Sequence, residues 1–164
     1  AMALLGKGRM MEAVGTRTLF ETLRKALPAE TLYLINNKGS DVLALAAATL
    51  DAELAWKRGN REESIRLWRR AVEAENAIQY DEPPAWFYPV RQSLGAALLG
   101  NGQAKEAEAV FRETISKHSR DGRLLYGLWQ SLKAQKRDGE AALVEQQFEA
   151  AWKSATARLR IEDL

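Results

Sequence analysis

Residues 94–111 have the sequence LGAALLGNGQAKEAEAVF. Two stretches with helical spacing of apolar residues flank a Gly-Asn-Gly turn, where Gly102 permits the backbone to reverse. Gly95 and Ala107 have little or no side chain, so the two helices can approach each other closely. Larger apolar side chains fill the remaining space: Leu94, Leu98 and Phe111. The segment therefore predicts a tightly packed pair of helices.

The turn of this helix pair recurs along the chain. A Gly, or once a Lys, is followed four residues later by Glu and then by a small residue. The four copies begin at Gly8, Gly59, Gly102 and Lys136, with spacings of 51, 43 and 34 residues. Such recurrence predicts a repeat architecture, and stacked repeats typically offer long concave surfaces that bind other chains.

The remaining copies match the first one to different extents. Matching residues are Ala52, Ala55, Ser64 and Trp68 around Gly59; Leu128, Leu132 and Ala141 around Lys136; and Leu4 and Ala13 around Gly8. Three positions depart from the pattern. Arg17 and Glu145 stand where the second helix has an aromatic residue, and Asp51 stands where the first helix has Leu.

This pattern resembles the tetratricopeptide repeat, a helix–turn–helix unit with small residues where its two helices cross. The resemblance covers roughly residues 42–152. It implies an all-α fold, a right-handed α-solenoid of antiparallel helix pairs with about seven helices. The residues that carry the repeat signature are Gly59, Trp68, Leu94, Gly95, Leu98, Gly102, Ala107, Phe111, Leu128, Leu132 and Ala141.

The repeats divide a single predicted domain, residues 1–164, into segments. They are a partial repeat at 1–28, a linker at 29–39, a repeat at 40–79, a Pro-rich loop at 80–84, and repeats at 85–119 and 121–160. Ser40 and Asp41 are predicted to cap the helix after the linker. Residues 80–95 and 148–153 also resemble the C-terminal part of long bacterial tetratricopeptide proteins of undefined role. That resemblance implies a fragment or a shortened relative of a longer repeat protein.

In tetratricopeptide repeats the first helix of each pair lines the concave groove, and this resemblance implies a set of groove residues. They are Thr49, Glu53 and Trp56; Gln92, Ala96 and Leu99; and Arg123, Tyr126, Gln130 and Lys133. We expect a mixed polar and aromatic groove that binds a peptide. The alternative is that these side chains are simply exposed, or are covered by the chain's own termini.

The composition of the chain argues against several kinds of binding partner and against a membrane-spanning segment. The 24 Lys and Arg residues nearly balance the 22 Asp and Glu residues, and a net charge of +2 argues against nucleic acid and anionic membranes. The longest apolar run, residues 42–48, is too short to span a bilayer. The absence of Cys excludes disulfides but assigns no compartment.

Residues that could support catalysis or metal binding are few. His118 is the only histidine, and without Cys it has no partners for a transition-metal site. Asp81 and Glu82 are adjacent carboxylates that we expect in a solvated loop. The sequence contains no phosphate-binding Gly loop and no known nucleophile or zinc motif. We therefore expect no catalytic residues, no metal and no cofactor, and we expect that the protein is not an enzyme.

The Pro-rich loop continues into the aromatic residues Trp86, Phe87 and Tyr88. We expect a structural loop whose rings fill the space between repeats. The other interpretation is a recognition patch, because exposed aromatic side chains favour binding.

Two functions remain open. The first is a protein–protein interaction module that binds a protein or peptide in the concave groove. The second is a structural or assembly segment that stacks or self-associates through the solenoid ends, around Leu4, Leu5, Trp152 and Leu159.

Overall fold

The computed structural model describes residues 1–116 and 121–164, and these ranges are mostly α-helical. Eight α-helices lie within them: α1 (Met2–Gly6), α2 (Met10–Ala26), α3 (Gly39–Lys57), α4 (Arg61–Ala77), α5 (Val90–Gly100), α6 (Ala104–Ile115), α7 (Gly122–Ala134) and α8 (Asp138–Trp152). The predicted all-α class is confirmed, and the helix beyond the expected seven is the short α1. His118 lies outside the described residues.

The chain forms two compact units, Ala1–Val90 and Arg91–Leu164. In the first unit, α1 packs against α2, both contact α3, and α3 packs along α4. In the second unit, α6 packs against α7 and α7 against α8. Within each unit, these helices that follow each other in sequence are therefore packed neighbours, as short connections between them predict.

The four signature positions share one backbone geometry. Each has a left-handed φ: +72° at Gly8, +81° at Gly59, +79° at Gly102 and +59° at Lys136. In every copy the next residue donates its backbone N–H to the carbonyl five positions earlier, over 2.9–3.1 Å. The following helix begins two residues after the signature residue in all four. These turns are Schellman motifs, and the recurrence seen in the sequence is a recurrence of structure.

The small residue of each signature copy is buried in the helix that follows the turn. Ala13, Ser64 and Ala107 have no exposed surface, and Ala141 is almost fully covered. The Ser64 hydroxyl donates to the carbonyl of Ala52 on α3, over 2.8 Å. A larger side chain at these positions would separate the paired helices.

Phe111 is fully buried between two glycines that belong to different helices. A Cβ atom at Gly95 of α5 would lie 2.5 Å from Phe111 Cζ, and one at Gly127 of α7 would lie nearer still. The atoms nearest to Gly95 therefore belong to Phe111 rather than to Ala107, its expected neighbour. The predicted core positions of Phe111 and of Trp68, which is 2% exposed, are confirmed.

Two of the departures from the repeat pattern form one interaction. Arg17 of α2 binds Asp51 of α3 through two hydrogen bonds, Nε to Oδ1 at 2.6 Å and Nη2 to Oδ2 at 2.7 Å. Both side chains are about one-third exposed or less. The hydrogen bonding of Arg17 to the Asp51 carboxylate, followed by the negative charge of that carboxylate, raises the pKa of Arg17. A bidentate ion pair thus links α2 to α3 where the repeat pattern has apolar residues.

Breaking this pair is expected to destabilise the first unit. Arg17→Ala or Asp51→Ala should each cost about 1–2 kcal/mol, because the first leaves the Asp51 carboxylate without Arg17 and the second leaves Arg17 paired with Glu21 alone among the ion pairs described. The double variant should cost less than the sum of the two. Urea unfolding of all three variants measures this coupling. The exposed pair Arg9 and Glu12 is the matched control and should show none, and additive effects of Arg17 and Asp51 would contradict the prediction.

The linker folds as a short hairpin. β1 (Leu32–Tyr33) pairs antiparallel with β2 (Asn37–Lys38), with Leu32 opposite Lys38. The helix after it begins at Gly39, and its N-terminus has no side-chain cap. The predicted cap by Ser40 and Asp41 is therefore wrong, because the helix begins before them and both residues lie in its first turn. There the Ser40 hydroxyl donates to the Asp41 carboxylate over 3.4 Å.

Asp81 anchors the hairpin to the loop that follows α4. Its carboxylate accepts hydrogen bonds from the side-chain amides of Asn36 and Asn37, each at 2.7 Å, and from the backbone N–H of Asn36. Asn37 also pairs with Gln79, donating to its carbonyl and accepting from its N–H. Asp81 is only 3% exposed, so the expectation of a solvated carboxylate is wrong for this residue.

The aromatic residues after the Pro-rich loop differ in burial. Trp86 and Tyr88 are half-buried, but Phe87 is 91% exposed. The prediction that these rings fill space inside the fold is therefore wrong for Phe87.

Candidate functional site

The predicted groove residues of the second unit lie on α5 and α7. Gln92 and Ala96 are buried, and Leu99 is half-buried. On α7, Arg123 and Lys133 are exposed while Tyr126 and Gln130 are half-buried. The α7 residues lie three or four positions apart and therefore share one face of that helix.

The chain itself covers part of this face. Residues 155–164, here called the docked segment, follow α8 and bring Leu164 to α5. The main-chain oxygen of Leu164 accepts hydrogen bonds from Ser93 Oγ at 2.9 Å and from Gln92 Nε2 at 3.2 Å. Arg123 Nη1 donates to the main-chain oxygen of Asp163 at 2.6 Å. Two predicted groove residues thus bind the backbone of a peptide segment.

The docked segment has an ordered conformation of its own. Residues Ile161–Asp163 form one 3₁₀ turn, which is closed by hydrogen bonds between Arg160 and the Asp163 carboxylate. Arg160 lowers the pKa of Asp163, chiefly through these side-chain hydrogen bonds. Burial raises the pKa of Tyr126, and the charges of Glu162 and Asp163 add to the shift. The carboxylates of the segment therefore act electrostatically on the tyrosine that we predicted as a groove residue.

A pocket opens between the helices of the second unit and the docked segment. Its volume is about 550 Å³, and its lining comprises Tyr126, Trp129, Gln130, Phe148 and Trp152 together with residues 155–159. The Trp129 and Phe148 rings stack at 5.8 Å, and those of Phe148 and Trp152 at 6.0 Å. The Lys133 ammonium lies 5.0 Å from the centre of the Trp129 ring. An apolar group beside a polar one matches such a lining.

The groove residues predicted in the first unit occupy α3. Thr49 is buried, and its hydroxyl donates to the carbonyl of Ala46 within the same helix. Burial raises the pKa of Glu53, and the nearby Lys57 only partly opposes this. The Arg61 guanidinium lies 3.6 Å from the centre of the Trp56 ring. Glu53 and Trp56 are half-buried and Thr49 is not available at the surface.

The structure therefore brings some predicted site residues together and leaves others apart. Gln92, Arg123 and Tyr126 surround the docked segment, and Tyr126 and Gln130 line the pocket. Sequence reasoning missed Ser93 and the pocket residues Trp129, Phe148 and Trp152. The spacing of Tyr126 and Trp129 by three, and of Phe148 and Trp152 by four, is the available signal, because such residues share a helix face.

The described residues show neither a metal-binding cluster nor a membrane span. Within 1–116 and 121–164, no three His, Cys, Asp or Glu residues converge as metal ligands. No helix in the same ranges combines the length and apolar character that crossing a bilayer requires.

Searches among protein-family models, curated proteins and solved structures found no match to this chain.

Proposed function

We propose that this protein is an interaction module that binds a peptide segment of a protein partner on the α5–α7 face of its second unit. The observation that carries this proposal is the docked segment, because Gln92, Ser93 and Arg123 bind its main-chain oxygens, which are groups that every peptide segment has. A face that holds one segment of chain by its backbone is suited to hold another.

The proposed architecture behind this function is a right-handed tetratricopeptide-like solenoid. The four equal turns and the buried small residues after them support it. In such a solenoid the first helices of successive pairs would share one concave groove. The binding would need neither catalysis nor a metal or cofactor, and a net charge of +2 favours a protein ligand over nucleic acid.

Peptides selected from a display library against the full chain test this function. Replacing both Tyr126 and Gln130 with Ala is expected to lower the affinity of the selected peptides at least tenfold, about 1.4 kcal/mol, because these residues line the pocket. Isothermal titration calorimetry measures the change. The exposed α8 residues Gln146 and Glu149, both replaced with Ala, are the matched control. Selected peptides that bind the Tyr126 and Gln130 variant as tightly as the wild type would refute the proposal.

A structural or assembly role is the second candidate, and one observation favours it. Leu19 and Leu23, one turn apart on α2, are exposed, as is Met11 on the same helix. By contrast, Leu5 is buried in a cluster with Leu50 and Leu54, so the solenoid end proposed there is not open. Self-association that the Tyr126 and Gln130 variant leaves unchanged would favour this candidate.

A further inference from the structure

The docked segment bears on what kind of partner the site accepts. Leu164 is only 6% exposed, and it is the one fully buried residue of the docked segment. Ile161 is half-buried, and Glu162 and Asp163 lie between these two apolar residues. The hydrogen bonds from α5 and α7 go to main-chain oxygens. Selectivity must therefore come from the leucine and from charge.

The charges around the segment are complementary to it. Arg123 donates a hydrogen bond to the main-chain oxygen of Asp163. Arg160 chiefly lowers the pKa of the Asp163 carboxyl, and the positive charge of Arg123 adds to this shift. The two carboxylates of the segment also act on the Tyr126 hydroxyl, disfavouring its ionised form. A segment with basic residues in place of Glu162 and Asp163 would instead face the Arg123 guanidinium with a like charge.

We propose that the docked segment is an internal competitor for the partner site. The partner is a protein segment of the same pattern, an apolar residue, two carboxylates and a leucine, and it binds by displacing residues 158–164. This inference rests on the proposed function and specifies its ligand. Because the segment is covalently attached, it competes at a high effective concentration, and free peptide binds the wild-type chain weakly.

A labelled synthetic peptide of residues 158–164 tests the competition in fluorescence anisotropy. The variant Leu164→Asp of the 164-residue chain places a charge in the leucine site and releases the segment. We expect this variant to bind the peptide at least ten times more tightly than the wild type does. Leu143→Asp is the matched control, because Leu143 of α8 is 61% exposed, and it should bind like the wild type. Adding Arg123→Glu to Leu164→Asp should abolish binding.

A second variant guards against misfolding of Leu164→Asp. A protease site introduced at residues 154–156, which are exposed, allows the segment to be cut after the protein has folded. Cleavage should then let the labelled peptide replace the cut segment.

The following results of the anisotropy and cleavage experiments would overturn the inference. Equal affinity of the wild type and Leu164→Asp, or no uptake of peptide after cleavage, would show that the segment does not compete. The proposed function would survive either result if library peptides still depended on Tyr126 and Gln130. A wild-type dimer that takes up no peptide would assign the segment to a neighbouring copy of the chain.

Discussion

Replacing Phe111 with Ala is expected to lower the free energy of unfolding of the second unit by about 3–5 kcal/mol. The ring is fully buried, and it occupies the space that two glycines leave on the neighbouring helices α5 and α7. Its removal leaves a cavity that Gly95 and Gly127 cannot fill, because neither has a side chain. Chemical denaturation followed by tryptophan fluorescence measures the loss.

Phe87 is the matched control for this experiment. It is the same residue type but is 91% exposed, so Phe87→Ala should change stability by no more than about 0.5 kcal/mol. If both Phe variants unfolded like the wild type, the close approach of α5, α6 and α7 around Phe111 would be wrong.

A substitution at Gly127 tests the close packing around Phe111 independently. Gly127→Ala should cost about 1–3 kcal/mol in the wild type, because the new Cβ overlaps the Phe111 ring. The same substitution should cost less in the Phe111→Ala background, where the ring is absent. This non-additivity distinguishes a steric overlap from a general loss of backbone flexibility at Gly127.

The turns were predictable from sequence because their determinants are local. A glycine at the left-handed position and a small residue five positions later suffice to recognise Gly8, Gly59 and Gly102. The fourth turn has Lys136 at the position where the other three have glycine. Lys136 adopts the same left-handed φ, an uncommon conformation for a residue with a side chain, because the hydrogen bonds of the turn hold it there.

The Arg17–Asp51 pair shows where local reasoning stops. Each residue by itself departs from the repeat pattern, and their separation of 34 residues hides the partnership. The pair becomes visible only when α2 and α3 lie side by side. The repeat pattern predicts which positions of the two helices face each other. It does not predict whether those positions form an apolar contact or an ion pair.

The candidate site was predictable only in part, for a similar reason. The resemblance to the tetratricopeptide repeat implied Arg123, Tyr126 and Gln130 as groove residues, and their spacing places them on one face of α7. The docked segment has no such periodicity, and its position depends on Gln92, Ser93 and Arg123, which are distant in sequence. The buried state of Gln92 likewise has no sequence signal, because its partner lies at Leu164.

Replacing Asp81 with Ala is expected to cost about 3 kcal/mol in the first unit, the second-largest effect on stability that we predict. The substitution leaves the buried Asn37 amide without one of its acceptors and removes both bonds of the carboxylate to Asn36. The hairpin of β1 and β2 should then be held less firmly against the loop after α4, chiefly by the two hydrogen bonds between Asn37 and Gln79. Hydrogen exchange at the Asn36 and Gln79 amides, together with thermal unfolding, measures this effect.

Glu82 is the matched control, because it is the neighbouring carboxylate but is exposed and contacts only the Tyr80 hydroxyl among the hydrogen bonds described. Glu82→Ala should leave both the exchange rates and the unfolding temperature unchanged. Asp81→Asn should fall between the two, because its amide keeps one acceptor oxygen but turns an N–H₂ group toward the donors of Asn36 or Asn37. Equal exchange rates and unfolding temperatures of Asp81→Ala and Glu82→Ala would contradict the anchoring role of Asp81. The two carboxylates differ chiefly in burial and in the groups from which they accept hydrogen bonds.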